Sequence, residues 1–208
     1  MNKGLFITFE GIDGCGKSTQ VRALEEYLDS SDTKSVVTRE PGGTALAEEI
    51  REMILSVDNS EMVDSCELLL YLAARAQHVE SLVKPALSKG KIVICDRFQE
   101  ATFAYQGAGR GLDLPTLENL NRFATGGLIP DITFIFDVSV ETAFNRMAAM
   151  GRDKDRMESS SQDFFEKIRA GYLYLAEVNP NRIRVLNGEK TVEELSKEVI
   201  TIIGEFTE

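Results

Sequence analysis

Residues 11–18 read Gly-Ile-Asp-Gly-Cys-Gly-Lys-Ser, which fits G-x-x-x-x-G-K-[ST]. The run follows an apolar stretch, Leu5–Phe9, and opens an amphipathic helical pattern at Lys17. That context selects a strand, a glycine-rich turn and a helix, and with them a ligand. Glycines let backbone N–H groups converge without Cβ obstruction. The helix start adds free N–H groups and the positive end of its dipole. Lys17 is spaced to reach β- and γ-phosphates and Ser18 to ligate Mg²⁺. Gly11, Ile12, Asp13, Gly14, Cys15, Gly16, Lys17, Ser18 and Thr19 are therefore expected to hold a nucleoside triphosphate.

The rest of the chain fits that start. Ser35–Thr38, Lys91–Cys95 and Ile132–Phe136 are further short β-branched runs, with Arg182–Leu186 a weaker fifth. They are apolar on both faces, as strands buried in a parallel sheet are. Helical patterns fill the gaps: Lys17–Leu28, Leu46–Leu55, Ser65–Leu87, Leu114–Ala124, Val140–Met150, Phe164–Ala176 and Val192–Phe206. Thr191 and Glu194 form a Thr-x-x-Glu capping box before the last. The alternation predicts a three-layer α/β fold around a five-stranded parallel sheet. With 208 residues, one domain over 1–208 is expected. The polar segment Gly151–Gln162 has no apolar face and reads as a loop or lid, about 150–162.

Charge narrows the partners. Against 34 acidic residues stand 23 Lys and Arg, a net −11. A surface that negative does not hold nucleic acid, although a few converging cations can hold a small phosphorylated ligand. Three cysteines without paired spacing give neither a disulfide framework nor a zinc site. The N-terminal apolar run is too short for a signal peptide, and no stretch nears the roughly 18 apolar residues of a membrane span. A soluble cytoplasmic protein is expected.

Among phosphate-loop proteins, a regulatory GTPase needs an Asn-Lys-x-Asp base reader, and that tetrapeptide is absent. A motor ATPase is normally larger. A small-molecule kinase needs a second anion site, built of arginines at strand ends. Here Arg39 and Glu40 follow the second strand, and Asp96 and Arg97 follow the third. Ligands of open α/β sheets bind at the carboxyl ends of strands, so all four should lie near the phosphate loop. Asp96 can hold magnesium as a Walker-B carboxylate does, with Asp137 a weaker rival. Tyr71 and Arg75, four apart on a helix, share a face and can form a stacking platform with a planar donor fork.

These segments resemble bacterial thymidylate kinases over nearly the whole chain. FEGIDGCGKST, TREPGGT, LLLYLAARAQH, CDRF, AYQGAGRG, GRDKDRME and GYLYLA come in that family's order and spacing. The resemblance implies phosphoryl transfer from MgATP to dTMP in dTTP synthesis, and a homodimer. It implies that Arg39 and Arg97 hold the acceptor phosphate, with Glu40 beside them. Arg75 would bond the thymine edge, with Thr102 and Gln106 nearby. Tyr71 would stack on thymine, and Tyr105 would pack on the deoxyribose and exclude a 2′-hydroxyl. Glu10, Asp13 and Glu158 would be carboxylates near the phosphates or magnesium, with Ser18, Asp96 and Glu10 the expected metal set. Lys17, Arg97 and Asp13 would be catalytic.

Three departures stand out. Phe98 replaces a common Tyr or His, and Gln99-Glu100-Ala101 departs from the more usual Asp- or Ser-bearing stretch, so only Thr102 supplies a hydroxyl there. Gly14 stands where eukaryotic forms carry an arginine, so the catalytic arginine should come from the lid, as Arg152 or Arg156. His78 reads as structural. Cys66 and Cys95 read as core, and Arg110 is unassigned. Cys15 is either a reactive thiol at a helix start or a small residue tolerated between glycines. Two other readings are a deoxynucleoside kinase, which needs a carboxylate base and fewer arginines, and a nucleotide-dependent switch without turnover.

Overall fold

In a computed structural model, residues 4–149, 151 and 155–207 are described. Five strands form one parallel sheet: β1 (Phe6–Glu10), β2 (Ser35–Arg39), β3 (Ile92–Asp96), β4 (Ile132–Asp137) and β5 (Ile183–Asn187). Their order is β2-β3-β1-β4-β5, so the strand that feeds the phosphate loop is central. Phe9 pairs with Asp96 and Asp96 with Arg39, which levels the carboxyl ends of β1, β3 and β2.

The helices are α1 (Lys17–Ser30), α2 (Ala45–Leu55), α3 (Asp64–His78), α4 (Lys84–Ser88), α5 (Gln99–Thr102), α6 (Leu114–Thr125), α7 (Val140–Ala149), α8 (Gln162–Val178) and α9 (Val192–Thr207). Strand alternation sorts the core by face. Ile7, Phe9 and Ile94 share a cluster with Leu24 of α1 and Val199 of α9. Phe6, Val93 and Cys95 meet Val79, Val83 and Ala86 around α4. Helices thus cover both sides, as the alternation predicts. β1, β3 and β4 are buried almost throughout. The second run departs from expectation: β2 is an edge strand in which only Thr38 is buried.

Two further differences have local causes. The helix expected over Ser65–Leu87 is interrupted by a π-turn at Val79–Val83. Pro85 has no N–H for the carbonyl one turn back, and the ladder widens there. Residues 99–109, unassigned from sequence, form α5 and a π-helical run, Phe103–Gly109. Gly107 and Gly109 weaken its intrinsic signal. Contact with α8 stabilises it instead: a Cβ on Gly171 would lie 2.7 Å from the Ala108 Cβ. The capping box closes as predicted, with Thr191 N donating to Glu194 Oε2 and Glu194 N to Thr191 Oγ1.

Candidate active site

The phosphate loop joins β1 to α1. Gly14 and Gly16 take φ of +82° and +100°, which L side chains rarely adopt, and a Cβ on Gly14 would meet the Ala143 carbonyl oxygen at 2.4 Å. The Lys17 ammonium is buried inside the loop and donates to the Gly11 and Ile12 carbonyls at 3.0 Å each. Cys15 is buried, its sulfur 3.6 Å from that ammonium. Ser18 and Thr19 open the helix at the exposed side.

Ser18 Oγ donates to Asp96 Oδ2 at 2.9 Å. A hydroxyl and a carboxylate oxygen together suit Mg²⁺, which takes one or two protein oxygens and completes its octahedron with phosphates and water. Among the described residues, no cluster of three or more His, Cys, Asp or Glu could hold a metal alone. Glu10, expected with Ser18 and Asp96, is not part of this pair. It is fully buried, with Oε1 accepting from Phe98 N and Oε2 from the Tyr172 hydroxyl. Burial, reinforced by the Glu100 carboxylate, pushes it up to about 8 against the pull of Arg97. Asp137, the rival, is held bidentately by Arg169.

Arg97 is the centre of the arrangement. Its φ is +69°, a left-handed conformation unusual for a side chain of this size. Nη1 donates to the Gly11 carbonyl and the Tyr172 hydroxyl, and Nη2 to Asp13 Oδ1 at 2.6 Å. The guanidinium also lies 5.0 Å from the Tyr105 ring centre, and the Tyr105 hydroxyl reaches Asp13 Oδ2 at 3.2 Å. Burial works against the Asp13 charge, but Arg97 and then Lys17 bring the carboxyl down to about 2. Arg97 is correspondingly raised, its burial outweighed by Asp13.

Beside this cation opens a cavity whose lining includes Asp13, Glu40, Tyr71, Arg75, Arg97, Thr102, Tyr105 and Gln106. Each of these is among the residues expected at the site from the sequence, and the fold brings them to one cavity. Burial pushes the Tyr71 phenol up, so it stays neutral. Arg75 spends four N–H donors inside the protein, on Glu40, Thr102, Asn121 and the Phe98 carbonyl. His78 is structural: it joins Thr38 Oγ1 to Glu40 Oε1.

Two arginines sit elsewhere than expected, and one was missed. Arg39 does not line the cavity. Its side chain is half exposed on Glu48, whose other oxygen holds Gly43 N. Arg51 lines it instead, donating to the Pro41 carbonyl. Arg51 lies between buried Ala47 and Ile54 at helical spacing, a signal that puts a cation on the inner face of α2. Arg156, expected over the γ-phosphate, is held by groups of α2 and α3 instead. Nε donates to the Ile54 carbonyl, and Nη2 pairs with Glu67 Oε2 at 2.7 Å. Glu67 and Arg110 are further residues whose place sequence reasoning did not assign. Arg152 lies outside the described residues. Glu158, expected near phosphate, closes a local turn in which Asp155 N donates to its Oε2.

The comparisons agree with this geometry. The Thymidylate kinase family model matches residues 9–199. A thymidylate kinase of Geotalea daltonii is 48% identical over 206 residues, covering 96% of each chain. One of Fervidobacterium nodosum is 47% identical over 202 residues, covering 97% of this chain and all of the relative. The crystal structure of thymidylate kinase from Ehrlichia chaffeensis superposes with a TM-score of 0.80 at 36% identity, over 97% of this chain and 99% of that one. With a central strand leading into the phosphate loop and a cavity sharing its arginine, the chain belongs to the thymidylate kinase family.

Proposed function

We propose that this chain transfers the γ-phosphoryl group of MgATP to dTMP, giving dTDP and ADP. One observation carries the reading: Arg97 is fixed to the phosphate loop through Gly11 and Asp13 and also lines the adjoining cavity. A single always-charged group can then face both the donor γ-phosphate and the acceptor phosphate. The acceptor phosphate is largely dianionic at neutral pH, its second pKa being about 6. Its oxygen attacks without a general base, and the bond to the ADP oxygen breaks. Catalysis here means positioning two anions and cancelling their repulsion. Lys17 serves the donor and Arg51 joins Arg97 at the acceptor. Ser18 and Asp96 would hold magnesium, which supplies charge to the phosphates.

In this reading Tyr71 stacks on the base, Arg75 offers its remaining N–H, and Tyr105 bounds the sugar. Tracking ATP consumption with dTMP, with thymidine and with no acceptor decides among the rival activities. Consumption only with dTMP, yielding dTDP, is expected. Use of thymidine would make the enzyme a nucleoside kinase instead. Among the described helices none is long and apolar enough to cross a membrane. Three free cysteines, Cys15 and Cys95 buried and Cys66 exposed where a core residue is expected, suit a reducing cytoplasm. The exposed apolar side chains Met53, Val57, Val63 and Leu69 around α2 and α3 would serve a homodimer, and light scattering reads its mass.

A further inference from the structure

Glu67 lies on α3 just behind the cavity wall and is almost wholly buried. Its Oε1 accepts from Gln106 Nε2 at 2.9 Å and from Arg110 Nε at 3.4 Å. Its Oε2 accepts from Arg110 Nη2 at 3.1 Å and faces Arg156 Nη2 at 2.7 Å. Burial raises the carboxyl, but the hydrogen bonds of Arg110 and Gln106 outweigh it, and Glu67 stays below the usual carboxylate range. An ionised carboxylate only accepts hydrogen bonds. The end of the Gln106 amide that faces Glu67 must therefore be its NH₂, and the carbonyl oxygen is left for the cavity that Gln106 lines.

A second polar group lining the cavity has the opposite character. Arg75 is a donor only. A donor beside a fixed acceptor complements the O4 and N3–H of thymine. It opposes cytosine, which presents an amino group and an unprotonated N3 in the same places.

We infer that Glu67 is a positioning residue that sets the choice of thymine over cytosine by fixing which end of the Gln106 amide meets the base. The inference rests on reading the cavity as the dTMP site. It also gives Arg110 and Arg156 a role, since both hold the carboxylate in place.

The test is the ratio of kcat/KM for dTMP to that for 5-methyl-dCMP, which keeps the methyl group and reverses only the hydrogen-bonding edge. In Glu67→Gln the two arginines claim the new carbonyl, so its NH₂ faces Gln106 and favours the reversed amide. The ratio should fall tenfold or more, while ATP affinity by calorimetry stays near the parent value. If both efficiencies fall together and the ratio holds, Glu67 only supports the wall and the inference is overturned. Gln106→Leu separates this from failure of the site itself. A ratio lowered by Gln106→Leu but not by Glu67→Gln overturns the role of Glu67 alone. A ratio untouched by Gln106→Leu overturns the base-edge reading and the inference with it. Should Glu67→Gln fail to bind ATP, Glu67→Asp keeps the charge but withdraws it from Gln106, and the same fall is expected.

Discussion

At the scale of single residues, buried charge divides the site into two kinds of carboxylate. Asp13 is held ionised by two cations, whereas Glu10, three residues earlier, is pushed up to about 8 by burial and Glu100. The second case has a measurable consequence. Unfolded, Glu10 ionises near its ordinary 4.5, and folded near 8, so in that window folding takes up a proton. Its contribution to stability is complete below about 4.5 and is lost as pH rises through about 8. The parent should therefore lose stability relative to Glu10→Gln by up to about 1.4 kcal/mol per pH unit across the window. Urea titrations of both proteins at several pH values measure the difference, and a pH-independent difference would contradict the assignment. Sequence made the phosphate loop and Arg97 legible because their chemistry is local to a motif. It misdirected Glu10 because the donors that claim it, Phe98 N and the Tyr172 hydroxyl, are distant in sequence.

At the scale of elements, the strands and most helices follow from periodicity, and the exception is informative. The run 99–109 carries Thr102, Tyr105 and Gln106 to the cavity, yet its glycines hide it from a propensity argument. Close approach to α8 holds it, with Gly171 facing Ala108 and Gly109 facing the Phe164 ring. A methyl at Gly171 must push the two helices apart. Gly171→Ala should cost about 1–3 kcal/mol of stability, as overpacking does. It should also raise KM for dTMP several-fold while leaving KM for ATP nearly unchanged, since the phosphate loop lies on other elements. Thermal melts with steady-state kinetics check both, and an equal change in the two KM values would remove this contact from the acceptor site. The misplacement of Arg156 belongs to the same scale. A polar segment's composition marks a loop, but what it docks on is fixed by the end of α2 and by Glu67, neither of which is local to it.

At the scale of the whole molecule, a chain of net charge −11 concentrates cations where ligands bind. Lys17 and Arg75 are buried and Arg97 is partly so, each held by carbonyls or carboxylates of the fold. Strand-and-helix alternation was enough to foresee a five-stranded parallel sheet. The order β2-β3-β1-β4-β5 was not legible, because pairing is decided between segments far apart in sequence. That order sets the β3 end beside the β1 end and brings Arg97 against the phosphate loop, so donor and acceptor sites share one guanidinium. The shared cation is most directly tested by titrating Arg97→Ala with ATP and with dTMP by calorimetry. The account predicts a several-fold loss of ATP affinity, because Lys17 and the loop N–H groups still hold the donor, and a loss of dTMP affinity of roughly 30-fold or more, the effect of truncating a largely buried charge partner. Unchanged dTMP affinity in a variant that still binds ATP would contradict it.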